Sequence, residues 1–184
     1  MKREGDNSLE NLLLENHFDL YNKDIAMTEP YEEIVGGEVW LRSPPSERHE
    51  TVCQRLHELI RAALAGEPDL RVLPPRSVLE VRAGTLLRPD LTVVDQTGKA
   101  VLVAEVIYPG DHRPDTVLKK SIYEESEIPR LWMIDLRYHC VEIYESTPYG
   151  LALRQNLAGM DRVEDNRWPS LAFRVAELFE GLGG

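Results

Sequence analysis

The stretch Leu86–Asp111, LLRPDLTVVDQTGKAVLVAEVIYPGD, decides the fold because it predicts two apolar strands joined by a polar turn. Each strand carries one acid among apolar neighbours. Asp90 begins the first strand, and Glu105 lies inside the run VLVAEVI of the second. Two carboxylates in such positions need a physical reason, because an ionised group in an apolar setting is costly unless it is paired.

A four-residue turn at 96–99, a common hairpin length, sets the register between the two strands. The antiparallel pairs that follow are Val94–Val101, Thr92–Val103 and Asp90–Glu105. All six side chains then share one face of the sheet. Two acids about 5 Å apart at an effective dielectric near 20 repel each other by about 3 kcal/mol.

Protonation of one acid, screening by water or a cation between them would relieve this repulsion. Mg²⁺ takes oxygen ligands of this kind, often from one or two carboxylates. The alternative is a solvated sheet end whose acids only add solubility. A slip of one residue in the register would put the two acids on opposite faces.

The length of 184 residues fits one domain with a sizeable core. The balance of 21 basic against 32 acidic residues gives a net charge of −11 and argues against non-specific nucleic-acid binding. It does not exclude a nuclease, because a local basic patch or a metal ion can reverse the field near a site.

No apolar run approaches the length of a membrane helix, and the N-terminus does not resemble a signal peptide. Cys53 and Cys140 occur without a CxxC motif, which favours reduced thiols and a cytoplasmic location. The spacing of the remaining histidines argues against a zinc site: His17, His57, His112 and His139.

The rest of the chain predicts mixed strands with helices between them, an α+β order. We expect residues 1–30 to form a partly irregular N-terminal extension with one short helix, and residues 31–184 to form the domain. A hairpin turning at Gly36-Gly37 is followed by a helix from the N-cap Ser46 to about Ala65. Further strands are predicted at 70–73, 78–81, LWMID, CVEIYE and YGLALRQNL, and a short amphipathic helix near the C-terminus.

A second helix is predicted from Pro114 to Glu125. Asp115, Lys119 and Tyr123 lie four residues apart on one of its faces, which can aim Lys119 at the two acids. The alternative is an ordinary Asp–Lys surface pair, the commoner case for any helix.

The strings EEIVGGEVWLRSPP…RHE, RPDLTVV, AEVIYP and DTVLKKSIY…IPRLWMID together resemble the Uma-two family of bacterial proteins described as restriction endonucleases. The likeness spans about Tyr31 to Leu182. It implies a restriction-endonuclease-like fold of the PD-(D/E)XK type, a mixed β-sheet flanked by helices.

The resemblance implies site roles for Asp90 and Glu105 as the acids of the family pattern. The lysine usual two positions after the second acid is replaced by Ile107, and the family pattern implies that Lys119 takes its place. The family's hairpin acid matches Glu33, with Glu38 following the turn. Its helix-start histidine matches His49, which the helical spacing places on the inward face. Tyr108 replaces the small serine that relatives typically have.

These residues imply a metal-dependent endonuclease that hydrolyses phosphodiester bonds in DNA. Asp90 and Glu105 would hold Mg²⁺ or Mn²⁺, Lys119 would position or activate water, and His49 or Glu33 would support them. Cutting both strands would favour a homodimer. The alternative is a catalytically inactive nuclease-fold protein that binds a protein or nucleic-acid partner. Arg88 is a candidate to neutralise Asp90 or hold a phosphate, and Tyr123 to hydrogen-bond a site acid.

Overall fold

A computed structural model describes residues 29–107 and 114–182, without the side chains of 114–116. The expected N-terminal extension, Tyr108 and the side chain of Asp115 lie outside the described residues, so their predicted roles stay predictions. The domain boundary near residue 31 also stays a prediction. None of the helices in the described ranges is long and apolar enough to cross a membrane.

A six-stranded mixed sheet forms the centre of the fold and has the strand order β10-β9-β8-β7-β6-β3. Strands β7 and β8 run parallel, and the other neighbours run antiparallel. The strands are β3 (Leu70–Val72), β6 (Leu91–Asp95), β7 (Ala100–Ile107), β8 (Arg130–Asp135), β9 (Cys140–Thr147) and β10 (Gly150–Ala158). The mixed sheet with flanking helices confirms the α+β, restriction-endonuclease-like expectation.

A four-stranded antiparallel sheet carries the N-terminal hairpin and has the order β2-β1-β5-β4. The predicted turn is confirmed: Gly36 and Gly37 have φ values of 59° and 85°, which glycine adopts without steric cost. Its strands are β1 (Tyr31–Val35), β2 (Glu38–Arg42), β4 (Leu79–Arg82) and β5 (Thr85–Leu87). A further pair, β11 (Arg162–Glu164) and β12 (Ala172–Arg174), was not expected from the sequence.

Helix α1 (Glu47–Ala63) lies against one face of the six-stranded sheet. Ser46 caps it as predicted, since its hydroxyl accepts the backbone N–H of His49 at 3.2 Å. The apolar stripe of α1 joins the terminal helix α3 (Val175–Phe179) in the larger core cluster. Trp132 belongs to this core, as expected.

Between β7 and β8 the chain crosses over through a π-helical turn (Pro114–Lys119) and helix α2 (Lys120–Glu125). Such a crossover is needed because β7 and β8 are parallel neighbours. The predicted helix therefore exists within its predicted bounds, but its first turn is π-helical. Helix α2 packs on the opposite face of the sheet, where its Ile122 and Tyr123 join the second core cluster.

The predicted register between the two central strands is right from Leu91 to Val93 and wrong near the turn. The paired residues begin at Leu91 and Ala104, so the predicted Asp90–Glu105 pair is not part of the ladder. Thr92 pairs with Val103, as expected, but Val94 pairs with Ala100, so Val101 is an extra residue in a bulge. The bulge arises from the turn. The Asp95 carboxylate accepts the backbone N–H groups of Thr97 and Lys99, and these hydrogen bonds shorten the turn.

The start of the first predicted strand also differs from the expectation. Leu86 and Leu87 belong to β5 of the smaller sheet, and β6 begins only at Leu91. Pro89 separates them and disfavours helical backbone at the residue before it. Asp90 therefore lies at the junction of the two sheets rather than within a strand.

Candidate active site

Asp90 is buried at the start of β6 and accepts hydrogen bonds from two directions. Its Oδ2 atom accepts the backbone N–H of Val106 at 2.8 Å and lies 3.2 Å from Nε2 of His49. Its Oδ1 atom lies 3.4 Å from Nε of Arg76. Burial alone would raise the pKa of Asp90, but His49, Arg76 and the more distant Lys119 lower it well below its ordinary value. Asp90 is therefore a stable carboxylate.

Glu105 lies near the end of β7, buried to 4 % exposure, and faces α2. The ammonium of Lys119 is 3.1 Å from each carboxylate oxygen, and the Tyr123 hydroxyl donates to Oε1 at 2.5 Å. Burial and the neighbouring Glu105 charge raise the pKa of Tyr123 well above its usual range. Tyr123 thus remains a protonated donor, as the sequence suggested.

Glu33 reaches the same ammonium from β1 of the smaller sheet. Its Oε1 atom is 3.1 Å from Nζ of Lys119 and accepts the backbone N–H of Arg88 at 2.9 Å. Its Oε2 atom accepts Nε of Arg42 at 2.7 Å. Burial opposes ionisation, but Lys119, the Arg88 N–H and Arg42 outweigh it and lower the pKa of Glu33. Lys119 therefore bridges carboxylates from two different sheets.

The π-helical turn places Lys119 at this bridge. Lys119 is its last residue and stands directly before α2, so that Lys119 and Tyr123 both reach Glu105. Single π-helical turns are rare and often occur at functional sites. The position of the usual lysine, Ile107, is instead part of the apolar core at 3 % exposure.

His49 points inward from the first turn of α1, as its helical spacing predicted. Its Nε2 atom lies 3.0 Å from the carbonyl oxygen of Val106 and can donate to that oxygen and to Asp90. Its Nδ1 atom can accept from the Arg76 guanidinium at 3.3 Å. Burial opposes protonation, but Asp90 dominates and raises the pKa of His49.

Arg76 is the site residue that sequence reasoning missed. It is 4 % exposed, has a φ of 55°, and forms a two-bond ion pair with Glu50 of α1. Its loop holds no periodic pattern, so nothing in the sequence marked it. The neutralising role expected of Arg88 falls to Arg76, since the Arg88 side chain instead donates to backbone carbonyls of Glu32 and Arg76.

The structure places the five residues predicted for the site in two ion-paired groups, His49 with Asp90, and Lys119 with Glu33 and Glu105; the charge of Lys119 also acts on Asp90. Glu38 does not join them; it is exposed at the start of β2. Each of the two central acids has a cationic side chain of the protein beside it, Arg76 for Asp90 and Lys119 for Glu105. Their proposed chemical roles stay predictions.

The charges of the described site leave room for a cation. Carboxylates are supplied by Glu33, Glu50, Asp90 and Glu105, and fixed cations by Arg42, Arg76 and Lys119. One negative charge among these residues is uncompensated when His49 is neutral, and either a proton on His49, which Asp90 favours, or a bound cation can compensate it. The Val106 carbonyl and the two central carboxylates offer hard oxygen donors, so the residues fit Mg²⁺ or Mn²⁺.

A separate surface cavity of about 780 Å³ contains none of these residues. Arg130, at the start of β8, lines it together with acids of α2 and β9 such as Glu124 and Glu145. The buried ionic cluster is the better candidate active site, because several groups with shifted pKa values converge there.

Comparisons with known proteins agree with this fold. Residues 16–175 match the model of the Uma-two family, described as "Putative restriction endonuclease". A crystal structure of "a putative nuclease belonging to DUF820 from Anabaena variabilis ATCC 29413" has 16% identity and a TM-score of 0.64, covering 88% of this chain and 96% of that one. A cryo-electron microscopy structure of a DrdV–DNA complex gives a TM-score of only 0.36 at 16% identity, covering 59% of this chain and 12% of that chain. No curated protein sequence matches the chain.

Proposed function

We propose that this chain, which belongs to the Uma-two family, is a metal-dependent endonuclease that hydrolyses phosphodiester bonds in DNA. The single observation that carries the proposal is the meeting of Glu33 and Glu105 around one buried lysine, whose charge also acts on the buried Asp90. DNA as substrate is supported by the description of the family, since restriction endonucleases cut DNA.

Asp90 and Glu105 would hold the divalent ion, with the Val106 carbonyl as a further oxygen donor. When bound, such an ion polarises a phosphate and lowers the pKa of a bound water. The N–H of Val106 and the ring of His49 fix the Asp90 carboxylate, so its orientation is set before any ligand arrives.

Lys119 supplies positive charge rather than a base. Its ammonium lies 3.1 Å from oxygens of both Glu33 and Glu105, and two carboxylates at that distance favour the protonated form. A fixed ammonium can donate to the attacking water or to a phosphate oxygen on which charge develops. Glu33 is a positioning residue in this scheme, because it holds Lys119 and is itself held by Arg42.

The test is nicking of supercoiled plasmid by purified protein with Mg²⁺ or Mn²⁺, with and without a chelator. We expect nicking to be lost on chelation and in Asp90→Ala, Glu105→Gln and Lys119→Met. The matched control is Glu58→Gln, because Glu58 is an exposed acid on α1 whose side chain pairs with Gln54. Nicking that survives all three site variants would overturn the assignment of the site.

The alternative, a nuclease-fold protein that binds a partner without cutting, is favoured by one observation. The fixed cations Arg76 and Lys119 each lie beside one of the central acids, so the protein itself already compensates part of their charge. Calorimetric titration with Mn²⁺ separates the two functions. Stoichiometric binding that Glu105→Gln abolishes supports the endonuclease, whereas no binding to the wild type supports the binding protein.

Two further expectations belong to this proposal: a homodimer, which would let two sites cut both strands, and a cytoplasmic location. Sedimentation of the purified protein with and without DNA tests the first. Cell fractionation tests the second.

A further inference from the structure

Beside Asp90, the structure holds a second set of donor atoms of the kind that binds transition metals. Ligand atoms of His49, Cys53 and Asp90 all lie within 4.8 Å of one another. His49 and Cys53 are one turn apart on α1, and Cys53 is only 1 % exposed. Nitrogen, sulfur and carboxylate oxygen together are donors typical of zinc and cobalt sites.

The guanidinium of Arg76 lies among these donors. Its Nη2 atom is 3.3 Å from Nδ1 of His49 and 3.9 Å from Sγ of Cys53, and it donates to Glu50. Its Nε atom is 3.4 Å from Asp90. One fixed cation therefore contacts the nitrogen, the sulfur and both carboxylates that would otherwise be available to a metal ion.

A simple ion pair with Asp90 does not account for this placement. The Nε atom of Arg76 is buried and has no partner in hydrogen-bond geometry, although it lies close to Asp90. Two of the other contacts are to His49 and Cys53, which carry no negative charge as neutral imidazole and thiol. Arg76 is thus aligned on Glu50 rather than on Asp90, and the same guanidinium also reaches the His49 nitrogen and the Cys53 sulfur.

The backbone holds Arg76 in this position at a cost. Its φ of 55° lies in the left-handed region, which is unfavourable for a residue with a side chain. Its backbone N–H donates to the Pro89 carbonyl at 3.0 Å, directly before Asp90. The loop therefore ties the guanidinium to the same segment that supplies the acid.

We propose that Arg76 occupies a latent site for thiophilic metals formed by His49, Glu50, Cys53 and Asp90, and thereby keeps zinc-type ions away from Asp90. The benefit of this exclusion for catalysis rests on the proposed endonuclease function, because a zinc ion bound there would remove Asp90 as a ligand of Mg²⁺. The occupation of the donor set does not depend on that function. Arg76 is then a specificity-determining residue for the metal.

Cobalt(II) tests the proposal because a cobalt–thiolate bond gives a near-ultraviolet charge-transfer absorption band. When this bond forms, the Cys53 thiol releases its proton to solvent. We expect no band when Co²⁺ is added to the wild type. Arg76→Gly, which suits the left-handed backbone, should show the band at one equivalent of Co²⁺.

Two further variants make the readout specific. Arg76→Gly combined with Cys53→Ser should lose the band, because the sulfur ligand is gone. Arg76→Lys should also lack it, because a cation still occupies the donor set. Circular dichroism and thermal melting check that each variant is folded. In case Arg76→Gly does not fold, Arg76→Gln is a second neutral replacement, and its side chain fills more of the space left by the arginine.

A band in the wild type would overturn the proposal, as would its absence from a folded Arg76→Gly or Arg76→Gln protein. Loss of folding in both neutral variants would assign Arg76 to stability and equally overturn the selectivity role. A gained cobalt band together with a wild type that neither binds Mn²⁺ nor nicks DNA would uphold the latent site and refute the endonuclease. The two proposals can therefore fail separately.

Discussion

Replacing Lys119 by Met removes the charge that Glu33 and Glu105 share, while it keeps most of the buried volume. Each 3.1 Å contact to Lys119 is worth about 5 kcal/mol of Coulomb energy at an effective dielectric near 20. Desolvation of the charges offsets much of this gain, and breaking a buried ion pair usually costs about 3–5 kcal/mol. The loss in the free energy of unfolding is also limited, because a carboxylate left without its lysine can bind a proton.

Proton uptake sets the size of that limit. Glu33 keeps Arg42 as a partner, so the least costly relief is for Glu105 to become protonated. Protonating a glutamate with an ordinary pKa of about 4.3 costs about 4 kcal/mol at pH 7 and about 1 kcal/mol at pH 5. In the variant, the folded state would bind a proton that the unfolded state lacks at pH 7. The penalty of Lys119→Met should therefore shrink by about 3 kcal/mol between pH 7 and pH 5.

Urea unfolding followed by circular dichroism, with the wild type measured at each pH, gives this difference directly. Lys120→Met is the matched control, since Lys120 is the next residue and lies 3.9 Å over the ring of Tyr144. Its loss should cost less than about 1 kcal/mol at either pH. A Lys119→Met penalty of equal size at pH 7 and pH 5 would refute the reasoning, because lost packing does not depend on pH.

Three smaller predictions use the same unfolding assay. Tyr123→Phe removes the hydroxyl donor to Glu105 and should lower the free energy of unfolding by about 1–3 kcal/mol; an unchanged value would mean that the hydrogen bond contributes nothing. Gly150→Ala should destabilise by a similar amount, because φ is 106° and a Cβ would meet the Glu124 carboxylate at 2.6 Å; wild-type stability would contradict this turn geometry. The pKa of Glu33 is lowered, so its charge stabilises the fold at pH values above the ordinary glutamate pKa, and this stabilisation is lost as the pH falls through the lowered pKa. The difference between wild type and Glu33→Gln should accordingly shrink between pH 6 and pH 3, and a constant difference would show that the charge is not responsible.

The sequence was most informative where local patterns decide the outcome. Glu105 stood out because it interrupts an apolar strand, and Asp90 because the predicted register placed it opposite Glu105. The N-cap Ser46 and the apolar stripe of α1 predicted both the start of the helix and the inward direction of His49. These features depend on neighbours within a few residues, which a single sequence displays.

Features that depend on distant contacts were not predictable. Arg76 reaches Glu50 and His49 through a loop whose left-handed backbone has no signature in the residues around it. The bulge at Val101 follows from the way the Asp95 carboxylate closes the turn, which residue spacing alone does not reveal. Glu33 and Lys119 were assigned by resemblance, and their shared contact becomes visible only in the structure.

The bridge through Lys119 makes the smaller sheet part of the candidate site. Glu33 belongs to β1 of the four-stranded sheet and Glu105 to β7 of the six-stranded sheet, and both lie 3.1 Å from the same ammonium. A shift of the hairpin relative to the central sheet would therefore change the charge around Lys119, even if Asp90 and Glu105 stayed in place. Because Arg42 of β2 fixes Glu33 on its other oxygen, the hairpin as a whole sets the electrostatic environment of the lysine. In the proposed endonuclease, the lysine therefore comes from the π-helical turn of the crossover, and the hairpin holds it against Glu105.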